Sequence, residues 1–183
     1  MSGPFNSLPV ALPGVRLLEP PLFRDQRGTF IKTYHEPAWL AAGLPFAMKE
    51  EYYSVSRLGV LRGMHFQTPP EDHAKVVYCP CGRVLDVLLD LRRGSPTYGQ
   101  CAAWELSAEN RLILIIPSGL AHGFLSQEEG SVLVYKTGTV HSPALDAGIR
   151  WDSFGFDWGW PAPMVSDRDR AFPALADFSS PFA

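Results

Sequence analysis

The stretch LRGMHFQ, from Leu61 to Gln67, is an apolar strand that carries a cation, a histidine and an amide. Charged and polar side chains are costly to bury unless they are paired with another group or with a ligand. In a regular strand alternate residues share a face, so Arg62 and His65 would point in opposite directions. If both serve one site, the strand must bend, and Gly63 is the residue that would permit a bulge. We therefore expect a bent strand that presents both side chains to a ligand.

Short strands of the same kind surround this stretch. Apolar runs separated by turn residues occupy 17–23, 28–34, 60–67, 74–78, 83–91, 100–106, 111–116, 119–125 and 131–137. Pro37 and Gly43 bracket one short helix at 38–42, and a weaker helical turn is expected at 167–172. So many short strands indicate an all-β fold, an antiparallel sandwich or barrel of the jelly-roll type with a few short helices.

Length and charge limit the domain organisation and the partners. The chain has 183 residues and a net charge of -3, and we expect 1–183 to form a single domain. Residues 1–14 would form an N-terminal arm, and the aromatic-rich segment 144–183 would cover the sheets. A basic face for nucleic acid is missing, and no apolar run approaches the length of about 20 residues that spans a membrane. We expect neither partner, and the absence of a signal-peptide pattern predicts a cytoplasmic location.

Two other strands place polar side chains among apolar ones. Residues 84–91 have one face of leucine and valine, which we expect to be core, and an opposite face that carries Asp86 and Asp90. Tyr135 lies in the apolar strand 132–136. A buried tyrosine normally finds a hydrogen-bond partner, so a structural and a functional role both remain open for it.

A second histidine, His122, follows a Pro-x-Gly turn in the stretch 116–124. Pro-x-Gly-x-x-His is the second half of the cupin signature, in which a histidine projects into a small barrel and often binds a metal. The first half usually has two histidines two positions apart, and here the corresponding residues are His65 and Gln67. We therefore expect no metal, with a metal-dependent or non-catalytic cupin as an alternative.

The ordered motifs resemble the dTDP-4-dehydrorhamnose 3,5-epimerase family. They are LRGMHFQ at 61–67, AKVV at 74–77, VLDV at 84–87, DLR at 90–92, SPTYG at 95–99, LSAEN at 106–110, IPSGLAHGF at 116–124, YK at 135–136 and SDRD at 166–169. The resemblance implies a cupin-like jelly-roll homodimer without cofactor. It also implies an isomerase that inverts ring carbons of a nucleotide-linked 4-keto-6-deoxyhexose.

The resemblance also implies the chemistry of the site. A ketone at C4 acidifies the hydrogens on C3 and C5, so a base can remove one if the enolate oxygen is stabilised. The resemblance assigns His65 as the base, with Asp169 as its carboxylate partner. Lys75 corresponds to the cation near the C4 oxygen. Tyr135 corresponds to the acid that returns a proton from the opposite face of the ring, which turns proton exchange into inversion.

Further residues are expected to bind the substrate. By resemblance, the diphosphate or the sugar is held by Arg62, His122, Arg27 and Arg168. Phe23 corresponds to a residue that reaches the nucleoside, in part from the neighbouring subunit. Gln67 is also expected to bind the substrate. Arginine suits this task because its planar fork matches phosphate oxygens.

Three departures from the family pattern leave the specificity open. Glu50 and Tyr52 stand where the family commonly has Gln-x-Asn, and Lys32 replaces a common acidic residue. The nucleotide could therefore be dTDP, CDP or GDP. His141 stands where many members have a second tyrosine, so inversion at C3, at C5 or at both remains open. A 3,4-ketoisomerase acting on a similar sugar nucleotide is a further alternative.

Overall fold

The computed structural model describes residues 5–183, and its elements are almost all strands. The strands are β1 (Asn6–Leu8), β2 (Arg16–Glu19), β3 (Leu22–Asp25), β4 (Gly28–Ile31), β5 (Glu50–Ser56), β6 (Leu61–Gln67), β7 (Lys75–Cys81), β8 (Arg83–Asp90), β9 (Cys101–Ser107), β10 (Ile113–Ile116), β11 (Leu120–Ser126), β12 (Ser131–Thr137) and β13 (Asp146–Gly148). The helices are α1 (Glu36–Ala41) and α2 (Asp167–Arg170), with a 3-10 turn at Leu175–Asp177.

Two antiparallel sheets form a sandwich. The six-stranded sheet has the order β1-β2-β10-β7-β12-β5, and the five-stranded sheet has the order β13-β6-β11-β8-β9. Among the strands of residues 5–183, β3 and β4 pair only with each other. The predicted all-β jelly-roll fold with a few short helices is confirmed. Within the described residues no helix is long and apolar enough to cross a membrane.

The interior of the sandwich is apolar and contains side chains from both sheets. Val84, Leu88 and Phe124 of the five-stranded sheet pack against Val77 and Leu114 of the six-stranded sheet, and all five are nearly inaccessible to solvent. Burial of this kind contributes about 1.5 to 3 kcal/mol for each large apolar side chain. The facing sheets therefore hold each other in place and fix the position of polar residues between them.

The C-terminal segment covers the outer face of the five-stranded sheet. Trp158, Val165 and Phe182 are buried in one cluster with Val87 and Leu89 of β8. Because β8 is covered on both sides, the prediction of one core face in residues 84–91 is incomplete. The face expected to be core packs under the C-terminal segment, whereas the face that carries Asp86 points into the sandwich.

The N-terminal part of the chain differs from the sequence prediction in two respects. The expected strand 17–23 is divided, because Pro20 and Pro21 separate β2 from β3 and proline cannot donate to a strand ladder. The expected arm also contains strand β1, which pairs with β2, and Leu12 is buried in the core. Residues 1–4 of the predicted arm lie outside the described residues.

Strand β6 is bent at the predicted position. His65 pairs with His122 of β11 and Arg62 pairs with Phe124, so β6 has one extra residue between these pairs. Gly63 has φ +145°, and a Cβ atom there would lie 2.5 Å from Gly123 Cα. No other residue type fits this backbone without displacement. The predicted bulge at Gly63 is confirmed, and it brings Arg62 and His65 to the same face.

Candidate active site

A cavity of about 390 Å³ opens between the two sheets. The six-stranded sheet contributes Glu50, Tyr52, Ser54, Lys75, Tyr135 and Thr137, the five-stranded sheet contributes Arg62, His65, Phe66, Gln67, His122, Phe124 and Asp146, and loops and α2 contribute His73, His141 and Arg168. The cavity therefore contains most of the residues that the sequence identified as functional, drawn from both sheets.

His65 and Asp169 form a hydrogen-bonded pair at the cavity. The distance from His65 Nε2 to Asp169 Oδ1 is 2.8 Å, and the histidine side chain is 30% exposed whereas the aspartate side chain is 4% exposed. Burial lowers the pKa of His65, the charges of Lys75 and Arg168 lower it further, and the net shift is downward although Asp169 opposes it. The imidazole is therefore neutral near neutral pH, and because an ionised carboxylate can only accept, Nε2 carries the hydrogen. Nδ1 has no hydrogen-bond partner in residues 5–183 and is free to accept a proton.

Asp169 is held in place by the bend and by its helix. Its Oδ2 accepts a hydrogen bond of 3.0 Å from the amide of Gly63. Ser166 is the N-cap of α2, and its hydroxyl accepts from the Asp169 amide at 3.1 Å. Burial alone would raise the pKa of Asp169, but the hydrogen bonds from His65 and Gly63 outweigh it, and the pKa is lowered. The carboxylate is therefore ionised with both oxygens occupied.

Lys75 is a buried cation on the wall of the cavity. Its Nζ donates to the backbone oxygen of His65 at 3.1 Å. Burial lowers the pKa of Lys75 to about 8, and the charges of Asp146 and Asp86 oppose this shift. The ammonium group makes no ion pair in the described part of the chain. It is therefore positioned to interact with a negative charge on a ligand.

His122 forms a second histidine–aspartate pair, deeper in the sandwich. Its Nε2 lies 2.8 Å from Asp86 Oδ2, and the two side chains are 3% and 0% exposed. Burial raises the pKa of Asp86 despite the opposing effect of His122. Asp86 Oδ1 is buried without a hydrogen-bond partner in the described residues. Asp90, predicted on the same wall, lies outside the cavity, where it binds Arg92 at 2.8 Å.

The phenol ring of Tyr135 contacts two other rings. Tyr52 stacks on it with a centroid distance of 4.8 Å and an interplanar angle of 15°. His122 contacts it edge to face at 5.9 Å. Tyr135 is 8% exposed, and burial strongly raises its pKa. Its hydroxyl therefore stays protonated at neutral pH and has a proton to donate.

Two of the predicted arginines reach the cavity. Arg62 donates from Nε to the Ser56 hydroxyl at 3.1 Å, and it has no carboxylate partner in residues 5–183. Arg168 binds Asp146 at 2.6 Å and lies over the ring of Phe172. Guanidinium groups with free N–H donors bind phosphate or hydroxyl oxygens of a ligand.

Three predicted binding residues do not present a free side chain to the cavity. Gln67 lines the cavity, but its amide donates to the Glu71 oxygen at 2.8 Å and accepts from the Ser142 amide at 2.6 Å. It therefore holds a loop in place. Phe23 and Arg27 lie on the β3–β4 hairpin and do not line the cavity. The side chain of Arg27 is 85% exposed and pairs with Asp25.

Sequence patterns missed several cavity residues. His73 and Asp146 lie in or next to irregular segments, where no periodicity indicates the direction of a side chain. Tyr52 and Glu50 were recognised only as departures from a family pattern, although alternation along β5 directs Glu50, Tyr52 and Ser54 to one face. In the described range no three His, Cys, Asp or Glu side chains converge to hold a metal ion.

Comparison with known proteins gives one consistent family. The sequence model described as dTDP-4-dehydrorhamnose 3,5-epimerase matches residues 9–177. The dTDP-4-dehydrorhamnose 3,5-epimerase of Pseudomonas aeruginosa is 41% identical over 172 residues, which cover 92% of this chain and 94% of the relative. Sequence similarity therefore extends over nearly the whole length of both proteins.

Solved structures show the same fold over a similar share of the chain. The dTDP-6-deoxy-D-glucose-3,5-epimerase of Legionella pneumophila, in complex with dTDP-4-keto-L-rhamnose, has a TM-score of 0.91 at 29% identity and covers 96% of this chain and 95% of its own. A 3'-monoepimerase from Streptomyces bikiniensis, in complex with dTDP-quinovose, has a TM-score of 0.85 at 32% identity and covers 92% and 87%. The matched family model and the near full-length relatives agree, and the chain belongs to the dTDP-4-dehydrorhamnose 3,5-epimerase family.

Proposed function

We propose that the protein is an epimerase that inverts C3, C5 or both in a nucleotide-linked 4-keto-6-deoxyhexose. The observation that carries the proposal is the position of a neutral histidine and a protonated tyrosine in one cavity. His65 comes from the five-stranded sheet and Tyr135 from the six-stranded sheet. A base and an acid on opposite walls can act on opposite faces of one sugar ring, which inversion requires.

His65 is the proposed base. Nε2 donates to Asp169, so Nδ1 has the lone pair that removes the hydrogen from carbon. The C–H electron pair moves into the ring to form an enolate, whose negative charge resides on the C4 oxygen. Asp169 then stabilises the imidazolium that forms. General base catalysis by a positioned side chain contributes about 10² to 10⁴ in rate.

Lys75 is the proposed stabiliser of the enolate oxygen. Its pKa of about 8 leaves it largely protonated at neutral pH, and its burial excludes competing water. An electrostatic interaction in such a site is much stronger than in water, and it increases as charge develops on the oxygen. Lys75 therefore favours the enolate over the ketone.

Tyr135 is the proposed acid. Its hydroxyl donates a proton to the carbon from the face opposite to His65, and the enolate electrons form the new C–H bond. The tyrosinate that results is unfavourable in a buried site, as the raised pKa of Tyr135 indicates. Proton exchange with solvent restores both side chains before the next turnover.

We propose dTDP as the nucleotide, because the named relatives act on or bind dTDP sugars. Arg62 and Arg168 supply the charge that a diphosphate or sugar oxygen requires, and His122 supports the same region. The relatives include both 3,5-epimerases and a 3'-monoepimerase. The family match is therefore compatible with inversion at either one or two carbons. A substrate of this class also fits the predicted cytoplasmic location, which cell fractionation would test.

A homodimer is part of the proposal. The β3–β4 hairpin pairs with no other described strand, and its Phe30 is 57% exposed. Strand β5 is an edge of the six-stranded sheet, and its side chains line the cavity. An unpaired edge can accept a strand from another chain. A partner hairpin on this edge would carry Phe23 and Arg27 toward the cavity.

Solvent exchange tests the function. Wild-type protein in D₂O should incorporate deuterium into dTDP-4-keto-6-deoxyglucose, and NMR of the product identifies the inverted carbons. Tyr135→Phe should retain exchange and lose inversion, because His65 can return a deuteron to the face from which it took the proton. Absence of exchange with dTDP-, CDP- and GDP-linked substrates would refute the proposal. A product with the carbonyl moved to C3 would identify the 3,4-ketoisomerase instead.

Mixed dimers test the shared site. Arg27→Ala and His65→Ala proteins, unfolded and refolded together, should recover activity above the sum of the two separate variants, because one site of the hybrid is intact. A monomeric mass in solution, or no recovery in mixtures, would contradict the dimer.

A further inference from the structure

We infer that Tyr52 is a positioning residue that holds the ring of Tyr135 in the orientation needed for proton delivery. This inference rests on the proposed function and concerns a residue at which the chain departs from the common family pattern, where asparagine is frequent.

The contact between the two rings is direct and specific. Tyr52 of β5 and Tyr135 of β12 are opposite each other in an antiparallel pair, and both line the cavity. Their rings are nearly parallel, with centroids 4.8 Å apart. Directly opposite aromatic residues on neighbouring strands stabilise each other through such contacts. One face of the Tyr135 ring is therefore covered by Tyr52.

A second constraint on the Tyr135 ring comes from His122. Its ring meets Tyr135 at 5.9 Å and 70°, and Asp86 holds this histidine by a hydrogen bond of 2.8 Å. His122 is fixed in the interior, whereas Tyr52 is 44% exposed. Removing Tyr52 would open the solvent side of the pair without disturbing the buried side. Tyr135 could then leave the orientation in which its hydroxyl faces the substrate.

The ring of Tyr52, and not its hydroxyl, makes this contact. The hydroxyl has no hydrogen-bond partner in residues 5–183. A positioning role therefore depends on the flat ring and should survive loss of the oxygen. This separates positioning from direct proton transfer, which would require the hydroxyl.

The experiment compares inversion with exchange in three variants. Tyr52→Phe keeps the ring, Tyr52→Leu keeps apolar volume without a flat ring, and Tyr98→Leu is the control. Tyr98 is 43% exposed, close to the 44% of Tyr52, and lies outside the cavity. Each protein is incubated in D₂O with dTDP-4-keto-6-deoxyglucose, and NMR measures the rate of inversion and the rate of deuterium incorporation without inversion.

The ratio of inversion to exchange is the deciding quantity. Tyr52→Leu should lower this ratio about fivefold, an effect of the size expected for loss of one aromatic pair. In Tyr52→Phe and Tyr98→Leu the ratio should stay within about twofold of the wild-type value. An unchanged ratio in Tyr52→Leu would overturn the inference, and so would an equal loss in Tyr52→Phe. A wild-type protein that exchanges no deuterium would instead refute the proposed function.

Discussion

Two histidine–aspartate pairs, whose histidines line the cavity, have the same Nε2 to carboxylate distance of 2.8 Å and different surroundings. His65 is 30% exposed at its side chain, whereas His122 is 3% exposed. The two histidines are directly opposite each other on β6 and β11. Equal hydrogen-bond geometry therefore does not distinguish the proposed base from the buried histidine. The exposed fraction of the histidine side chain does.

The carboxylates of the two pairs differ in their second oxygen. Asp169 Oδ2 accepts from the Gly63 amide, whereas Asp86 Oδ1 is buried without a partner in the described structure. The pKa of Asp169 is consequently lowered, and that of Asp86 is raised by burial. A fully satisfied carboxylate can stabilise a histidine that gains a proton. A desolvated carboxylate is better suited to holding a ring in place.

The largest expected difference between the pairs is in proton abstraction. His65→Ala should reduce deuterium exchange by about 10³-fold, because it removes the only proposed base. His122→Ala should reduce exchange by about tenfold, through weaker substrate binding and a less constrained Tyr135. Single-turnover exchange followed by NMR measures both. Equal losses in the two variants would break the distinction between base and positioning histidine.

Replacing each aspartate by asparagine tests the role of the second carboxylate oxygen. In Asp169→Asn the Gly63 amide requires an oxygen, so the new NH₂ group faces His65 Nε2 and the ring proton moves to Nδ1. Catalysis should fall about 100-fold. In Asp86→Asn the oxygen can remain on His122, since Oδ1 has no partner among residues 5–183 to oppose this orientation, and kcat should fall less than about tenfold. A comparable fall in kcat for both variants would contradict the assignment.

The pH dependence of kcat/KM separates the pairs further. Activity requires a neutral His65, and the lowered pKa of this histidine places the acid limb of the profile below about pH 6.5. Activity also requires a charged Lys75, and its pKa of about 8 sets the alkaline limb. Lys75→Arg should move the alkaline limb beyond the measurable range, because arginine stays charged. Asp86→Asn should lower this limb, since the Asp86 charge raises the pKa of Lys75. An alkaline limb unaltered in both variants would exclude Lys75 as its origin.

Protein stability is expected to show the smallest effect. Asp169 has a lowered pKa in the folded state, so its stabilisation is present above the unfolded pKa of about 3.9 and is lost as pH falls through the folded value. Asp169→Asn should therefore lower the free energy of unfolding by about 2 kcal/mol near neutral pH, with the difference vanishing in acid.

Asp86 has a raised pKa in the folded state, so its contribution to stability has the opposite sign to that of Asp169. Its ionised form destabilises the fold at neutral pH. Asp86→Asn should consequently cost less stability than Asp169→Asn at neutral pH. Urea unfolding across pH measures both variants, and the reverse order would contradict the assigned pKa directions. The same curves test the predicted single domain, which requires one cooperative transition.

Local patterns in the sequence were sufficient for much of the fold. Turn residues between apolar runs predicted most strands, and Gly63 between Arg62 and His65 predicted the bulge that the pairing of β6 with β11 contains. The pattern failed where an apolar run crossed Pro20 and Pro21. It also failed for residues 84–91, because alternation does not indicate that a C-terminal segment covers the second face.

The candidate site was predicted less completely. Family motifs identified His65, Lys75 and Tyr135, which the structure brings into one cavity. They also identified Gln67, whose amide is occupied by a loop, and Arg27, which lies on an exposed hairpin. A motif gives the type of a residue and its position along the chain. It does not give the hydrogen bonds that leave a side chain free for a ligand.

The sequence by itself determined most of the strand succession, the bend at Gly63 and the family, because periodicity, glycine geometry and motif order depend on neighbouring residues. Only the tertiary structure decided which carboxylate contacts which histidine and which ring contacts Tyr135. Asp169 is 104 residues from His65, and Asp86 is 36 residues from His122. Contacts over such separations depend on sheet register and on the packing of the two sheets, which no local pattern contains.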